Sequence, residues 1–156
     1  MATGKPRPLA LADLDRVAEI ERATFPDPWS KRSFAETIER EQVRALAIDD
    51  EAGRLVGYAM SVRAGDEGEV LNIAVDEPAR GRGAGRAMLD DLLDDLRQNG
   101  VRQVFLEVRR SNEAAIGLYR SAGFRPLGVR PGYYGRPRED ALTMVLELAS
   151  QTARKG

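Results

Sequence analysis

Three glycines and three arginines interleave in Arg80-Gly81-Arg82-Gly83-Ala84-Gly85-Arg86, and this is where the chain could hold an anion. Glycines lack a Cβ, so successive backbone N–H groups there can turn toward one point and approach it closely. Met88, Leu89, Leu92, Leu93 and Leu96 follow at helical spacing, with Asp90, Asp91, Asp94 and Asp95 on the other face. The loop therefore opens a helix, whose free N–H groups and positive dipole end suit a phosphate. Arg80 and Arg82 add positive charge that fits a pyrophosphate better than a single carboxylate. A second set is Glu107 and Tyr119. Alternation over 104–109 puts Val104, Leu106 and Val108 on one face of a strand and Phe105, Glu107 and Arg109 on the other. Glu107 therefore shares its face with an aromatic ring, so that face is not simply solvent. Each feature also has an ordinary reading: a glycine turn with surface arginines, a strand Glu107 paired with Arg109, and a Tyr119 packed in the core beside Ile116 and Leu118.

What is missing narrows the chemistry further. The chain has no Cys and no His, so a disulfide, a thiol nucleophile, an imidazole base and a zinc site of the usual N/S kind are excluded. Acid and base work falls to carboxylates, Tyr, Lys or water, which favours direct attack by a bound nucleophile over a covalent enzyme intermediate. The loop is not a P-loop, because Arg86-Ala87 stands where Lys-Ser or Lys-Thr is required. Its glycine spacing is also wrong for a dinucleotide fingerprint. A net charge of −1 gives no reason to expect broad attraction to nucleic acid or membrane. No apolar run reaches a membrane span and residues 1–6 have no signal-peptide core, so the expected location is cytoplasmic.

The elements that must position these residues can be read in order. Residues 1–6 and 149–156 read as flexible tails of a single domain, with a short strand expected near 7–10. Leu14, Val17, Ala18 and Glu21 mark one face of a helix over 12–23, with Asp13 as its cap. Phe25-Pro26-Asp27-Pro28-Trp29-Ser30 ends it, and Ser30, or Ser33 with Glu36, caps a second helix carrying Phe34 and Ile38. Strands over 43–48, 55–62 and 70–75, separated by turns at 49–53 and 65–68, form an antiparallel meander. The glycine loop and its long helix follow, stopped by Gly100. Strand 104–109 comes after this crossover and so runs parallel to 70–75. Ser111 or Asn112 caps a helix ended by Gly123, and strands 124–129 and 141–148 are joined by a loop over 130–138.

Beyond these readings, Arg80-x-x-Gly83-x-Gly85 after Asn72-Ile73-Ala74-Val75 resembles the acetyl-CoA loop of the GCN5-related N-acetyltransferases. Leu106-Glu107-Val108-Arg109-x-Ser111-Asn112-x-x-Ala115-x-x-Leu118-Tyr119-x-x-x-Gly123-Phe124 resembles the second motif of their ribosomal-protein-alanine subgroup. So do Glu21-x-x-x-Phe25-x-x-Pro28-Trp29-Ser30, Arg130-x-x-Tyr133-Tyr134 and Glu139-Asp140-Ala141-x-x-Met144. Pro131-Gly132 inside the tyrosine loop departs from the pattern. The resemblance implies an α+β three-layer fold: a mixed sheet of six or seven strands and about four helices, antiparallel in its first half, with parallel strands splayed at the cofactor site.

For chemistry, the resemblance implies transfer of an acetyl group from acetyl-CoA, without a metal, to the N-terminal alanine of a small-subunit ribosomal protein. Other acceptors of the same reaction, and an acetyl-CoA-binding module without activity, are the competing readings. Glu107 corresponds to the base, acting directly or through water, and Tyr119 to the acid that protonates the departing thiolate. Ile73, Ala74 and Val75 would hold the thioester carbonyl. Arg80, Gly81, Arg82, Gly83, Ala84, Gly85, Arg86 and Asn112 would bind the cofactor. Trp29, Tyr133 and Tyr134 would wall the acceptor cleft of a monomer or weak dimer.

Overall fold

The structure is a computed structural model that describes residues 4–135 and 137–149. Its strands are β1 (Arg7–Pro8), β2 (Val43–Asp49), β3 (Leu55–Ala64), β4 (Glu67–Val75), β5 (Gln103–Arg109), β6 (Arg125–Gly135) and β7 (Arg138–Glu147). Its α-helices are α1 (Leu14–Thr24), α2 (Lys31–Ile38), α3 (Ala84–Gln98) and α4 (Glu113–Ser121). The strands make one seven-stranded sheet in the order β1-β2-β3-β4-β5-β7-β6. All neighbours are antiparallel except β4 and β5.

Two helical layers cover the sheet because successive strand residues point to opposite faces. On one face Leu14, Val17 and Ile20 of α1 and Phe34 of α2 pack on Ala47, Tyr58, Met60 and Ala74. On the other, Met88 and Leu92 of α3 pack on Leu46, Ile48 and Ala59. That second layer continues where Leu89 and Leu96 meet Leu106, Met144 and Tyr119. Ser30 caps α2 by accepting from Ser33 N at 3.0 Å, so the cap is Ser30 rather than Ser33. Asn112, not Ser111, caps α4 through Ala115 N at 3.2 Å.

Three expectations are corrected. The first strand is only Arg7–Pro8. Asp13 does not cap α1 but accepts from Ala10 N at 2.8 Å and grips both terminal nitrogens of Arg7 at 3.0 Å. The region 130–138 is not a plain loop: β6 runs on to Gly135, and β7 starts at Arg138. Pro131 and Gly132 are absorbed in a register shift between Arg130 and Tyr134, which an edge strand such as β6 tolerates. Arg136, residues 1–3 and residues 150–156 lie outside the described residues. Of the expected N-terminal tail, Gly4 donates its N–H to the Asp49 carbonyl at 2.8 Å.

The Arg7 pairing has a pH signature. Arg7 holds the Asp13 carboxyl below its ordinary range, so the pair stabilises the fold fully above the unfolded carboxylate pKa. That contribution is lost as pH falls through the lowered folded value. Asp13→Asn should cost at most roughly 1 kcal/mol at neutral pH, because the pair is screened by solvent. Urea denaturation should show the gap closing on acidification; a gap independent of pH would mean that the carboxylate's charge contributes nothing.

Candidate active site

The site forms where the sheet opens. β4 pairs with β5 only from Glu67 to Glu69, opposite Gln103 to Phe105. A register shift then intervenes on the other edge of β4: Asn72 faces Met60 but Val70 faces Ser61, leaving Leu71 as an extra residue. A bulge of this kind bends and twists its strand. Past it β4 and β5 diverge, while β5 stays paired with β7 along its whole length. The β5-facing edge of residues 70–75 thus has no ladder partner among the described residues, and Ile73, Ala74 and Val75 lie on it.

Two clefts meet in this gap. The larger, about 600 Å³, is lined by Ile73 to Val75, the glycine loop and the start of α4. Of the residues expected to hold the cofactor, Arg80, Gly81, Gly83, Ala84, Gly85, Arg86 and Asn112 line it, and Arg82 does not. Gly81 and Gly83 have φ of +81° and +83°, a left-handed conformation that side-chain-bearing residues adopt only with strain. A Cβ at Gly85 would meet Leu118 Cδ2 at 3.3 Å, so this glycine lets α3 sit close to α4. Arg80 is drawn back to the Val75 carbonyl at 2.8 Å. Arg86 bridges Asp90 at 2.9 Å and Ser121 at 3.1 Å.

The smaller cleft, about 370 Å³, is lined by Glu21, Trp29, Asn72, Glu107, Tyr119 and Tyr134 among others. Phe25, Ile73, Arg109, Asn112 and Ala115 line both clefts. Tyr133 does not line this cleft; it is exposed, with the Arg130 guanidinium 4.4 Å from its ring centroid. Its ring meets Tyr134 edge-on at 5.0 Å. Tyr134 packs under Arg109 at 4.3 Å, and burial pushes its phenol up to about 12. Across the cleft Trp29 leans on Phe34 with centroids 5.3 Å apart.

Glu107 is not paired with Arg109. Its Oε1 accepts from Arg130 at 2.5 Å and its Oε2 from Thr143 at 2.8 Å. Arg109 instead donates to Glu139 at 3.1 Å and to the Pro137 carbonyl at 3.0 Å. Each oxygen of Glu107 keeps a further lone pair, since a carboxylate has about four acceptor positions. Glu69, in the row beside it, is pushed above its ordinary value by partial desolvation and then by the Glu107 charge. The Tyr119 ring is buried and meets Phe124 edge-on at 5.8 Å. Burial, then Tyr134, push its pKa up, so it holds its proton.

Sequence reasoning left Glu21 out of the site. It is 1% exposed and accepts from Tyr58 OH at 2.5 Å, Asn72 Nδ2 at 2.9 Å and Trp29 N at 3.0 Å. A carboxylate on the apolar face of an amphipathic helix was the available signal, since such a charge is retained only with partners.

The chain is 37% identical over 143 residues to the ribosomal protein bS18-alanine N-acetyltransferase of Escherichia coli, covering 90% of this chain and 95% of that protein. It is 42% identical over 142 residues to N-alpha-acetyltransferase RimI of Mycobacterium tuberculosis, covering 87% of each. The crystal structure of the Escherichia coli ribosomal-protein-S18-alanine N-acetyltransferase matches with a TM-score of 0.83 at 35% identity, covering 96% of this chain and 97% of that one. The family model described as Acetyltransferase (GNAT) family takes in residues 14–124, glycine loop and splayed strands included, and the chain belongs to that family.

Proposed function

We propose that this protein moves an acetyl group from acetyl-CoA directly to the N-terminal α-amine of a protein, the alanine of a small-subunit ribosomal protein. The observation that carries this is the meeting of the two clefts: a thioester lying along the glycine loop and an amine entering past Trp29 and Tyr134 would come together between β4 and β5. The similarity to the bS18-alanine enzyme supports the choice of acceptor.

An α-amine has a pKa near 7.7 to 8.0, so at neutral pH most of it is ammonium and cannot attack. Glu107 takes the proton on a free lone pair, directly or through water. The amine nitrogen then bonds to the thioester carbon, and N–H groups of the Ile73–Val75 edge hold the oxygen as it becomes an oxyanion. The C–S bond breaks as Tyr119 supplies a proton to the leaving sulfur; the new amide nitrogen gives up its second proton to water, and solvent then reprotonates Tyr119 and takes the proton from Glu107. Labelled acetyl-CoA with a panel of N-terminal peptides tests the acceptor. Alanine-first peptides should be acetylated, and blocked peptides and free polyamines should not; efficient polyamine or internal-lysine acetylation would overturn the assignment.

Two variants separate the clefts. At Gly83 a Cβ would meet nothing within 4 Å, so the effect of Gly83→Val comes from its φ of +83° rather than from a clash inside the protein. A β-branched residue is strongly disfavoured there, so the loop should shift and acetyl-CoA should bind about tenfold more weakly, near 1.4 kcal/mol by calorimetry. Unchanged affinity in a folded variant would remove the loop from the cofactor site. Tyr134→Ala should lower peptide kcat/KM about tenfold and leave acetyl-CoA binding alone, as loss of one acceptor contact of roughly 1 to 3 kcal/mol does. A matching loss of cofactor affinity would instead make Tyr134 part of the wider scaffold.

A further inference from the structure

Three carboxylates line the acceptor cleft, Glu21, Asp27 and Glu107; Asp27 is exposed to solvent, and the other two have opposite surroundings. Glu107 already has a cation, Arg130, on one oxygen. Glu21 is 1% exposed, lines the same cleft, and is held only by neutral donors: the Tyr58 hydroxyl, the Asn72 amide and the Trp29 N–H. No Lys or Arg among the described residues pairs with it. Buried carboxylates are ordinarily matched by a cation or a metal. Three of its roughly four acceptor positions are used, and Oε2 retains one. The reaction proposed above brings a cation to this cleft in every cycle.

Resting on that reading, we propose that Glu21 is the counter-ion of the acceptor's α-ammonium, a specificity-determining residue that seats the charged terminus before Glu107 takes its proton. The division of labour follows from the partners. Glu21 is fixed by α1, β3, β4 and the α1–α2 corner at once, so it offers a rigid negative site. Glu107 sits on β5 against the exposed cation of Arg130. An ammonium has three N–H donors, enough to touch Glu21 and still present a proton to Glu107. Internal amides and blocked termini bring no such charge, so the same contact would favour free chain termini.

The test uses an alanine-first peptide and its desamino analogue, in which a propionyl group replaces the alanyl residue and only the ammonium is lost. Binding of each to the CoA-loaded protein is measured by calorimetry. The wild type should prefer the amine by about tenfold or more, the size of a hydrogen bond to a charged group. Glu21→Gln should lose most of that preference, because a neutral amide offers the ammonium no counter-charge. A Glu21→Gln protein that retains the preference, or a wild type that never had it, overturns the inference and leaves the acetyl-transfer reading standing. A wild type that binds neither peptide overturns both. Should Glu21→Gln not fold, the carboxyl ¹³C resonance of Glu21 in the wild type decides. It should move with the amine peptide and not with the desamino one, and equal movement with both overturns the inference.

Discussion

Glu107→Gln should reduce kcat on an alanine-first peptide by roughly 10² to 10⁴ at pH 7, with acetyl-CoA affinity little changed. The substitution keeps the shape of the side chain and one carbonyl acceptor for Arg130 or Thr143, which hold the carboxylate at 2.5 and 2.8 Å. What it removes is the capacity to take a proton. The pH dependence has a definite sign. Below the amine pKa of about 7.7 to 8.0 the acceptor needs a base, and above it solvent has already done the work. The defect should therefore shrink as pH rises through that range. Near wild-type turnover at pH 7 would reduce Glu107 to a partner for Arg130 in the sheet, and a large defect that stayed constant to pH 9 would point to lost geometry rather than lost basicity.

The parts of the site that were legible in the sequence are those whose signals are local. The glycine loop and its amphipathic helix each lie within a few residues of the partners that define them, so spacing alone places them, whereas for the α4 cap it left Ser111 and Asn112 open. Glu21 was hidden because its partners Tyr58 and Asn72 are 37 and 51 positions away. In the sequence it is a polar residue on an apolar stripe and the first residue of the Glu21-x-x-x-Phe25 motif, and neither feature names its partners. The wrong partner for Glu107 has the same origin: Arg109 is two positions on, but Arg130 reaches it across 23 because β7 inserts between β5 and β6. Residues 130–138 read as a loop because Pro131, Gly132 and Pro137 are strand breakers; the edge position of β6 makes Pro131 and Gly132 tolerable, and Pro137 falls in the turn between β6 and β7. The bulge at Leu71 left no mark at all, although it is what parts β4 from β5.

Tyr119→Phe should lower kcat by about 10² while the fold and acetyl-CoA affinity hold, because the ring stays packed on Phe124 and only the hydroxyl is lost. The raised pKa of this phenol limits how it can act. A thiol near pKa 8.5 is a stronger acid than a phenol near 10, so a finished thiolate would not draw the proton off Tyr119 at equilibrium. In the proposed mechanism the hydroxyl therefore acts during bond breaking, donating to sulfur as negative charge builds on it, with the proton restored from solvent afterwards. That makes the contribution depend on how much charge the sulfur carries in the transition state. An acetyl thioester of a more acidic thiol, one that departs readily without help, should show a much smaller Tyr119→Phe defect than acetyl-CoA does. If the defect is equally large with both donors, the hydroxyl is not assisting the leaving group, and the residue serves the cleft by packing alone.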